Sequence, residues 1–327
     1  MDTLFDIDNA KRAYRDYGGS DSKESYILGD DYYMIKFADT KVEENSLAAS
    51  TSNSAISEYV SSHIAESMGL SVHKTKLAVV DGEIAVACLD FVEPNHKLQE
   101  LNWFMRTVYR KQELGRIPSY DQLYGTINQS DLSSIASEAI MHYFYNFVLD
   151  AYIGNFDRHS GNLGFIRNLL TGELTTSPIY DCGSSLYPGL SETKFTDILS
   201  NKEEVLKRVN DFPKSALNKD NNFKQLNKYG YFEMLSSGMD ANCTRAFLEL
   251  YPRIDESKVN SIIDNTPLIS DLRKTFYKQM LHYRKELILD RAYQVLQRRQ
   301  EVINEDFTLL ATSNPVHTSN IFVSKSN

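Results

Sequence analysis

The segment Asn155-Phe156-Asp157-Arg158-His159-Ser160-Gly161-Asn162 sets an aspartate and an asparagine five residues apart, and Pro178-Ile179-Tyr180-Asp181 adds a second aspartate nineteen residues further on. Such a set of oxygen donors suits phosphoryl transfer, a reaction that asks the protein mainly for positioning and charge stabilisation. One carboxylate attends the attacking hydroxyl, while an amide oxygen and a second carboxylate hold Mg²⁺ against the phosphates. In that scheme Asp157 serves the nucleophile, and Asn162 and Asp181 serve the metal. The competing reading is a turn, because Asp and Asn commonly hydrogen-bond their own backbone.

Upstream residues offer the other half of a nucleotide site. Residues 26–37 read as two short strands around Gly29-Asp30-Asp31, and the second strand carries Lys36 between apolar neighbours. Asn53-Ser54 can cap a helix reaching about Met68, with Ile56, Val60 and Ile64 on one stripe and Gly69 at its stop. Glu58 lies on this helix, off that stripe. Lys36 would neutralise phosphate oxygens and Glu58 would hold it in place; exposed surface positions for both are the alternative.

Gly18-Gly19-Ser20-Asp21-Ser22-Lys23 stands where a loop over the phosphates would sit. Its glycines permit close backbone approach, and successive amides could face an anion. The hexapeptide matches neither GxGxxG nor a Walker motif, and a flexible turn is the plainer reading. Asp90-Phe91-Val92 falls, by position only, where the backbone of an adenine-binding hinge would lie. His159 is read as orienting the catalytic loop, with Asp157 the better placed base. Arg158 has a carboxylate or a phosphate as its partner, and His142, on an apolar helix, is read as a core or boundary histidine.

These residues need elements that bring them together. Residues 72–89 read as a hairpin around Asp81-Gly82, and the character turns helical beyond Pro94. Residues 99–130 are polar and ambiguous, whereas Leu132 to Tyr152 is a dense apolar and aromatic helix that delivers the chain into the Asp157 loop. A hairpin over 163–180 would return Asp181 close to Asn162. Helical patterns follow at about 202–210, 241–250, 256–264 and 268–303, and a frayed polar tail after Asp306. The expectation is an α+β fold with a small sheet-rich lobe over 1–93, a helical lobe over 94–304 and a tail over 305–327.

Composition sets the limits. With 327 residues, 42% hydrophobic and 11% aromatic, the chain can bury a sizeable core. A net charge of −9 disfavours a general nucleic-acid role, which depends on neutralising phosphates. The basic run from Arg273 to Arg299, broken by Glu286 and Asp290, is read as a solvated helix face. No run of eighteen apolar residues occurs and the first residues lack the order of a signal peptide, so the default compartment is the cytosol. Cys88, Cys182 and Cys243 have no metal-like spacing and read as core residues.

The offset from Asp157 to Asn162 is the one found between catalytic Asp and metal-binding Asn in protein kinases, although here the His follows the Asp. From Gly18 to about Tyr293 the chain resembles the HipA-like serine/threonine kinases, most closely their short, cell-translocating kinase A branch. The resemblance rests on Gly18 to Lys23, Met34-Ile35-Lys36-Phe37, Ser57-Glu58-Tyr59-Val60, Val86 to Phe91, Gly154 to His159, Gly161-Asn162 and Pro178 to Gly183. Later segments, Leu250 to Asp255 and Ile262 to Pro267, are similar to the short branch as well.

The resemblance implies a two-lobed kinase fold, ATP and Mg²⁺ as cofactors, and transfer to Ser or Thr, with Tyr a further acceptor. It implies that Lys36 contacts phosphate, Glu58 pairs with it, Asp157 is the catalytic base, and Asn162 and Asp181 bind metal. It also implies autophosphorylation in the loop over the phosphates, on Ser20 or Ser22. The protein substrate stays unidentified, and the branch adds delivery outside the producing cell as an alternative to the cytosol. Full-length HipA toxins carry an extra N-terminal subdomain that contacts a DNA-binding antitoxin, and since this chain begins almost at the kinase lobe the resemblance leaves an antitoxin partner open. A lipid or small-molecule kinase, or a nucleotide-binding interaction module without transfer, are the alternative functions.

Overall fold

A computed structural model describes residues 4–14, 23–37, 53–111, 114–221, 226–299 and 301. Gly18, Gly19, Ser20 and Ser22 of the expected phosphate loop, and the 305–327 tail, lie outside the described residues. The first part is an antiparallel sheet of five strands in the order β1-β2-β3-β5-β4, with β1 Lys11–Ala13, β2 Lys23–Leu28, β3 Asp31–Phe37, β4 Thr75–Val80 and β5 Glu83–Leu89. Tight turns fix its register: Gly29 has φ of 68°, and Asp81 and Gly82 have φ of 51° and 84°, the left-handed pair that a two-residue hairpin requires.

Strand alternation decides which side chains face which way. Ile35, Ala78, Val80, Ala85 and Ala87 pack on the outer face with Phe5. Lys36, Leu77, Val86 and Cys88 belong to the opposite face, which lies against helix α1, Ser54–Ser67. That helix is buried nearly all round, with Ala55, Ser57, Ser61 and Ser62 letting neighbours approach closely and Ile56, Val60 and Ile64 filling the core. Burial of each such aliphatic side chain contributes about 1.5–3 kcal/mol.

The chain then crosses to a second, three-stranded sheet of order β6-β7-β8, formed by His96–Glu100, Gly164–Asn168 and Leu174–Thr176. Helix α2 (Leu101–Val108), α3 (Tyr120–Gln129) and α4 (Ala136–Ile153) follow β6 in sequence. Residues 99–130, polar and without a clear period, thus hold the end of a strand and two helices. Ser119 and Gln122 start α3 with a capping box. Helix α4 is buried on nearly every side from Ala139 onward because it runs through the middle of the helical part, and it ends at Gly154, whose φ is 70°. A Cβ there would stand 3.2 Å from the Arg284 side chain.

Around α4 pack α5 (Phe195–Ser200), α6 (Lys202–Asn210), α7 (Tyr231–Ser237), α8 (Ala241–Leu250), α9 (Glu256–Asn265) and α10 (Asp271–Arg284), the last continuing through a π turn at Lys285–Asp290. One contiguous core joins α1 and the inner face of the first sheet to α4, α8 and α10. The basic run starting at Arg273 is not uniformly solvated. Arg273 and Arg284 are 5% and 1% exposed, because each guanidinium finds partners inside: Arg273 pairs with Glu192 at 3.2 Å, and Arg284 Nε donates to the carbonyls of Ala151 and Tyr152 at 2.9 and 3.1 Å.

Candidate active site

Three backbone features bring the halves of the site together. Lys36 is carried by the central strand β3, paired on one side with β2 and on the other with β5. Glu58 stands in the first turns of α1, 1% exposed. Just after α1, His73 N donates to Ile179 O at 3.0 Å and Ile179 N donates to Ser71 O at 2.8 Å. This short parallel bridge locks the chain that follows α1 to the chain that leads into Asp181.

As a result Lys36 Nζ donates to Asp181 Oδ1 at 2.9 Å and lies 3.7 Å from Glu58 Oε2. The remaining Glu58 oxygen, Oε1, accepts the Cys182 amide at 3.0 Å and lies 2.8 Å from His73 Nε2. Burial alone would neutralise both charges, but each offsets the penalty of the other. Burial depresses the Lys36 ammonium, yet Asp181 and Glu58 more than compensate and hold it well above the usual lysine range. Burial raises the Glu58 carboxyl, while Lys36 and His73 pull it down to about 2. Asp181 is held below the ordinary carboxylate range, chiefly by Lys36. Asp181 adopts φ of 60°, a left-handed conformation that Asp tolerates better than most residues.

Asn162 connects this cluster to Asp157. Its Nδ2 donates to Asp157 O at 3.1 Å and to Asp181 Oδ2 at 3.5 Å, and its Oδ1 accepts the His159 amide at 2.8 Å. An amide oxygen has a second lone pair, so Oδ1 keeps capacity for a cation. Asp157 and Asn162 therefore do shape a turn, and the same turn brings them to Asp181; the two readings of that spacing are compatible. The Asp157 carboxylate is 49% exposed, with Arg116 Nη2 3.3 Å from Oδ1 and His159 Nε2 4.0 Å from Oδ2. His159 Nδ1 accepts the Gly161 amide at 2.9 Å, which leaves Nε2 as the protonated nitrogen of the neutral ring, facing Asp157. Burial and Arg116 push that imidazole below its ordinary value.

Arg158 is the frame beneath the loop. It is 5% exposed; Nε and Nη2 hold Asp150 of α4 at 2.9 and 3.1 Å, and Nη1 donates to the carbonyls of Asn162 and Tyr180, both at 2.9 Å. The choice between carboxylate and phosphate is thereby a carboxylate. One buried guanidinium thus ties the ends of the loops bearing Asn162 and Asp181 to α4. His142 is buried beside it, as expected of a core histidine, with burial first and Arg158 second lowering its imidazole to about 4.

Lys23 pairs across the strands with Lys36 and adds to the positive potential at Asp181. Asp90 N donates to Tyr32 O at 2.8 Å, its Oδ1 accepts the Val92 amide, and the Phe91 ring lies 5.7 Å from that of Tyr180. Asp90 and Phe91 therefore border the residue before Asp181 at the passage between the two sheets. His73, Asp150 and Arg116 complete the site and escaped sequence reasoning, because nothing in their spacing marks them. His73 had one available signal, its position just past the helix stop at Gly69.

A metal fits this donor set. Asn162 and Asp181 offer an amide and a carboxylate oxygen with Asp181 42% exposed, and Mg²⁺ characteristically takes only one or two protein carboxylates, with phosphates and waters supplying the rest. Among the described residues no group of three or more His, Cys, Asp or Glu side chains forms a closed metal cage.

Comparisons with known proteins bear on the family and the fold. The HipA-like C-terminal domain family matches residues 16–242. A serine/threonine-protein kinase of Helicobacter pylori, CtkA, is 36% identical over 295 residues, covering 90% of this chain and 87% of the relative. The crystal structure of the H. pylori proinflammatory kinase CtkA superposes with a TM-score of 0.79 at 33% identity, covering 88% of this chain and 96% of that one. HipA in the Shewanella oneidensis toxin–antitoxin complex with HipB and operator DNA shares the fold, at 16% identity and a TM-score of 0.50, over 80% of this chain and 60% of that one. Fold and site define a two-lobed, kinase-like α+β protein. The chain belongs to the HipA-like family.

Proposed function

We propose that the chain is a protein kinase that transfers the γ-phosphoryl group of ATP to a Ser or Thr hydroxyl, using Mg²⁺. The observation that carries this reading is the meeting of Lys36, from the first sheet, with Asp181 at 2.9 Å, backed by Glu58 and adjoining Asn162 and the Asp157 loop. A relative 36% identical over most of its length is named a serine/threonine-protein kinase.

In this reading residues 1–93 form the lobe that covers the nucleotide and 94–304 the lobe that receives the substrate. Lys36 supplies positive charge to the phosphate oxygens, and Glu58, itself fixed by the Cys182 amide and His73, restrains Lys36. Lys23 adds charge on the same side and Asp90 and Phe91 border the base, while Gly18, Gly19 and Ser20, outside the described residues, are assigned to phosphate binding from the sequence alone. Asn162 and Asp181 would hold Mg²⁺, which neutralises charge on the phosphates when bound. Asp157 accepts the hydroxyl proton as the acceptor oxygen bonds to the γ-phosphorus and the bond to the β–γ bridging oxygen breaks, releasing ADP. His159 orients Asp157. Autophosphorylation at Ser20 or Ser22 belongs to the same proposal.

Incubation with labelled ATP and Mg²⁺, with and without a protein acceptor, tests it. Label should pass to protein with the wild type and not with Asp157→Ala or Asp181→Ala. ATP binding without transfer would reduce the protein to a binding module, and transfer to lipid alone would make it a lipid kinase. Phosphosite mapping of the autophosphorylated chain should find Ser20 or Ser22.

A further inference from the structure

Beside the catalytic carboxylate lies a feature that phosphate chemistry does not use. Arg116 reaches Asp157 from the segment that precedes α3, with Nη2 3.3 Å from Oδ1 and 3.4 Å from Oδ2. Its main chain is anchored to the catalytic loop, since the buried Ser160 gives both its amide and its hydroxyl to Arg116 O at 2.9 Å. The side chain itself is 67% exposed. Two long contacts from a single nitrogen, in solvent, contribute about 0–1 kcal/mol, so the pair adds little to stability. It does occupy the base that the acceptor hydroxyl needs.

A second cation flanks the same place. Asn218 N donates to Pro118 O at 2.9 Å, its Nδ2 donates to Ile117 O at 3.1 Å, and Asn218 bridges on its other side to Lys228. Three short stretches, around 117–119, 217–219 and 227–229, thus lie side by side next to the Asp157 loop, with Arg116 and Lys228 at its border. Lys228 is half-buried and has no carboxylate partner among the described residues. Its ammonium is lowered by burial and by Arg116 and is supported by Asp157. The neighbouring Asp220 carboxylate accepts from Asn227 at 3.2 Å. Arg116 therefore rests on the catalytic carboxylate, and Lys228 adds positive charge in its neighbourhood, on a chain whose net charge is −9.

We infer that Arg116 and Lys228 are specificity-determining residues that read an Asp or Glu next to the acceptor hydroxyl of a protein substrate. This rests on the kinase reading above. An incoming carboxylate matches the guanidinium fork better than Asp157 does in its present contact. By drawing Arg116 away, it frees Asp157 to take the hydroxyl proton. A neutral neighbour leaves Arg116 on the base, and a basic one also meets repulsion from Lys228.

The test is a set of Ser and Thr peptides that differ only in the residues flanking the acceptor, acidic, neutral or basic, assayed with the full chain, ATP and Mg²⁺. For the wild type, kcat/KM should favour acidic over neutral flanks by about tenfold or more, as a charge-assisted hydrogen bond implies. Arg116→Ala should collapse that ratio, and Arg116→Glu should invert it in favour of basic flanks. Lys228→Ala should reduce it about two- to threefold, and raising the salt to 1 M, where the Debye length falls to about 3 Å, should erode it in the wild type. Thermal unfolding of Arg116→Glu should match the wild type, since the main chain provides the anchoring. Transfer to peptides without acidic preference, or a preference untouched by both Arg116 variants, overturns this inference and leaves the kinase reading intact. Absence of transfer to every peptide and protein overturns the kinase reading and this inference with it.

Discussion

Two clusters of the same chemical type sit on either side of the Asp181 loop, and they are built to opposite ends. Arg158 and Asp150 are both nearly inaccessible, and the guanidinium spends its donors on Asp150, two backbone carbonyls and the Cys182 sulfur at 3.4 Å. Lys36, Glu58 and Asp181 are looser. The Lys36–Glu58 separation is 3.7 Å, Glu58 Oε2 has no hydrogen-bond partner, and Asp181 is 42% exposed. A buried ion pair with every donor used is committed to structure, because any rearrangement would strand a charge. A cluster with unfinished contacts and one open side can exchange partners when phosphate or metal arrives. The difference teaches that incomplete satisfaction, more than charge or burial alone, separates the cluster proposed to bind phosphate and metal from the structural one.

The largest effect should come from the structural side. Arg158→Ala strands Asp150 and releases the Asn162 and Tyr180 carbonyls, so unfolding in urea should show a loss of about 3–5 kcal/mol. An unchanged stability would break the comparison. Asp181→Asn keeps the side-chain shape and the left-handed tolerance but removes the charge. It should lower kcat about 10²–10³-fold, with a loss of stability smaller than that of Arg158→Ala. If this substitution instead destabilises the fold as much as Arg158→Ala, the two clusters are not different in kind.

Acid provides the next test, through His142 beside Arg158. Its folded value of about 4 lies below the unfolded 6.5. The unfolded chain therefore binds the proton first, and stability should fall as pH drops from about 6.5 towards 4, by about 3 kcal/mol in total. Replacement by an uncharged residue, His142→Gln, should flatten that part of the stability profile. The carboxylate of Glu58, held down to about 2, contributes stability above about 4.5 and loses it only as pH falls towards 2, so the two contributions separate on the pH axis. The smallest effect belongs to Glu58→Gln, which retains an acceptor for the Cys182 amide but no charge for Lys36. Transfer should drop about tenfold, read mainly in the KM for ATP, with folding retained.

Much of this was legible in the residues. The Asp81-Gly82 hairpin, the helix from Ser54 to Ser67, the apolar helix ending at Gly154 and the helix over 202–210 all follow from turn chemistry and periodicity. Those signals are local, and local steric preferences set them. Residues 99–130 were not legible, because the hydrophobic pattern of α2 and α3 is interrupted and β6 makes sense only beside β7, more than sixty residues later. The burial of Arg273 and Arg284 was likewise hidden, since charge in a sequence reads as exposure until a partner such as Glu192 or a backbone carbonyl is seen to satisfy it.

For the site, the sequence by itself determined the donor types and their order: Lys36, Glu58, Asp157, Asn162 and Asp181, with a family resemblance covering most of the chain. Only the tertiary structure decided which of them touch, that Asn162 joins Asp157 to Asp181, that His73 and the Cys182 amide fix Glu58, and that Arg116 rests on Asp157. The physical reason is one of range. Turn and helix propensities act over a few residues, whereas an ion pair such as Lys36 with Asp181 spans 145 residues of chain and exists only because packing of α1, the Ser71–Ile179 bridge and Arg158 closes that distance.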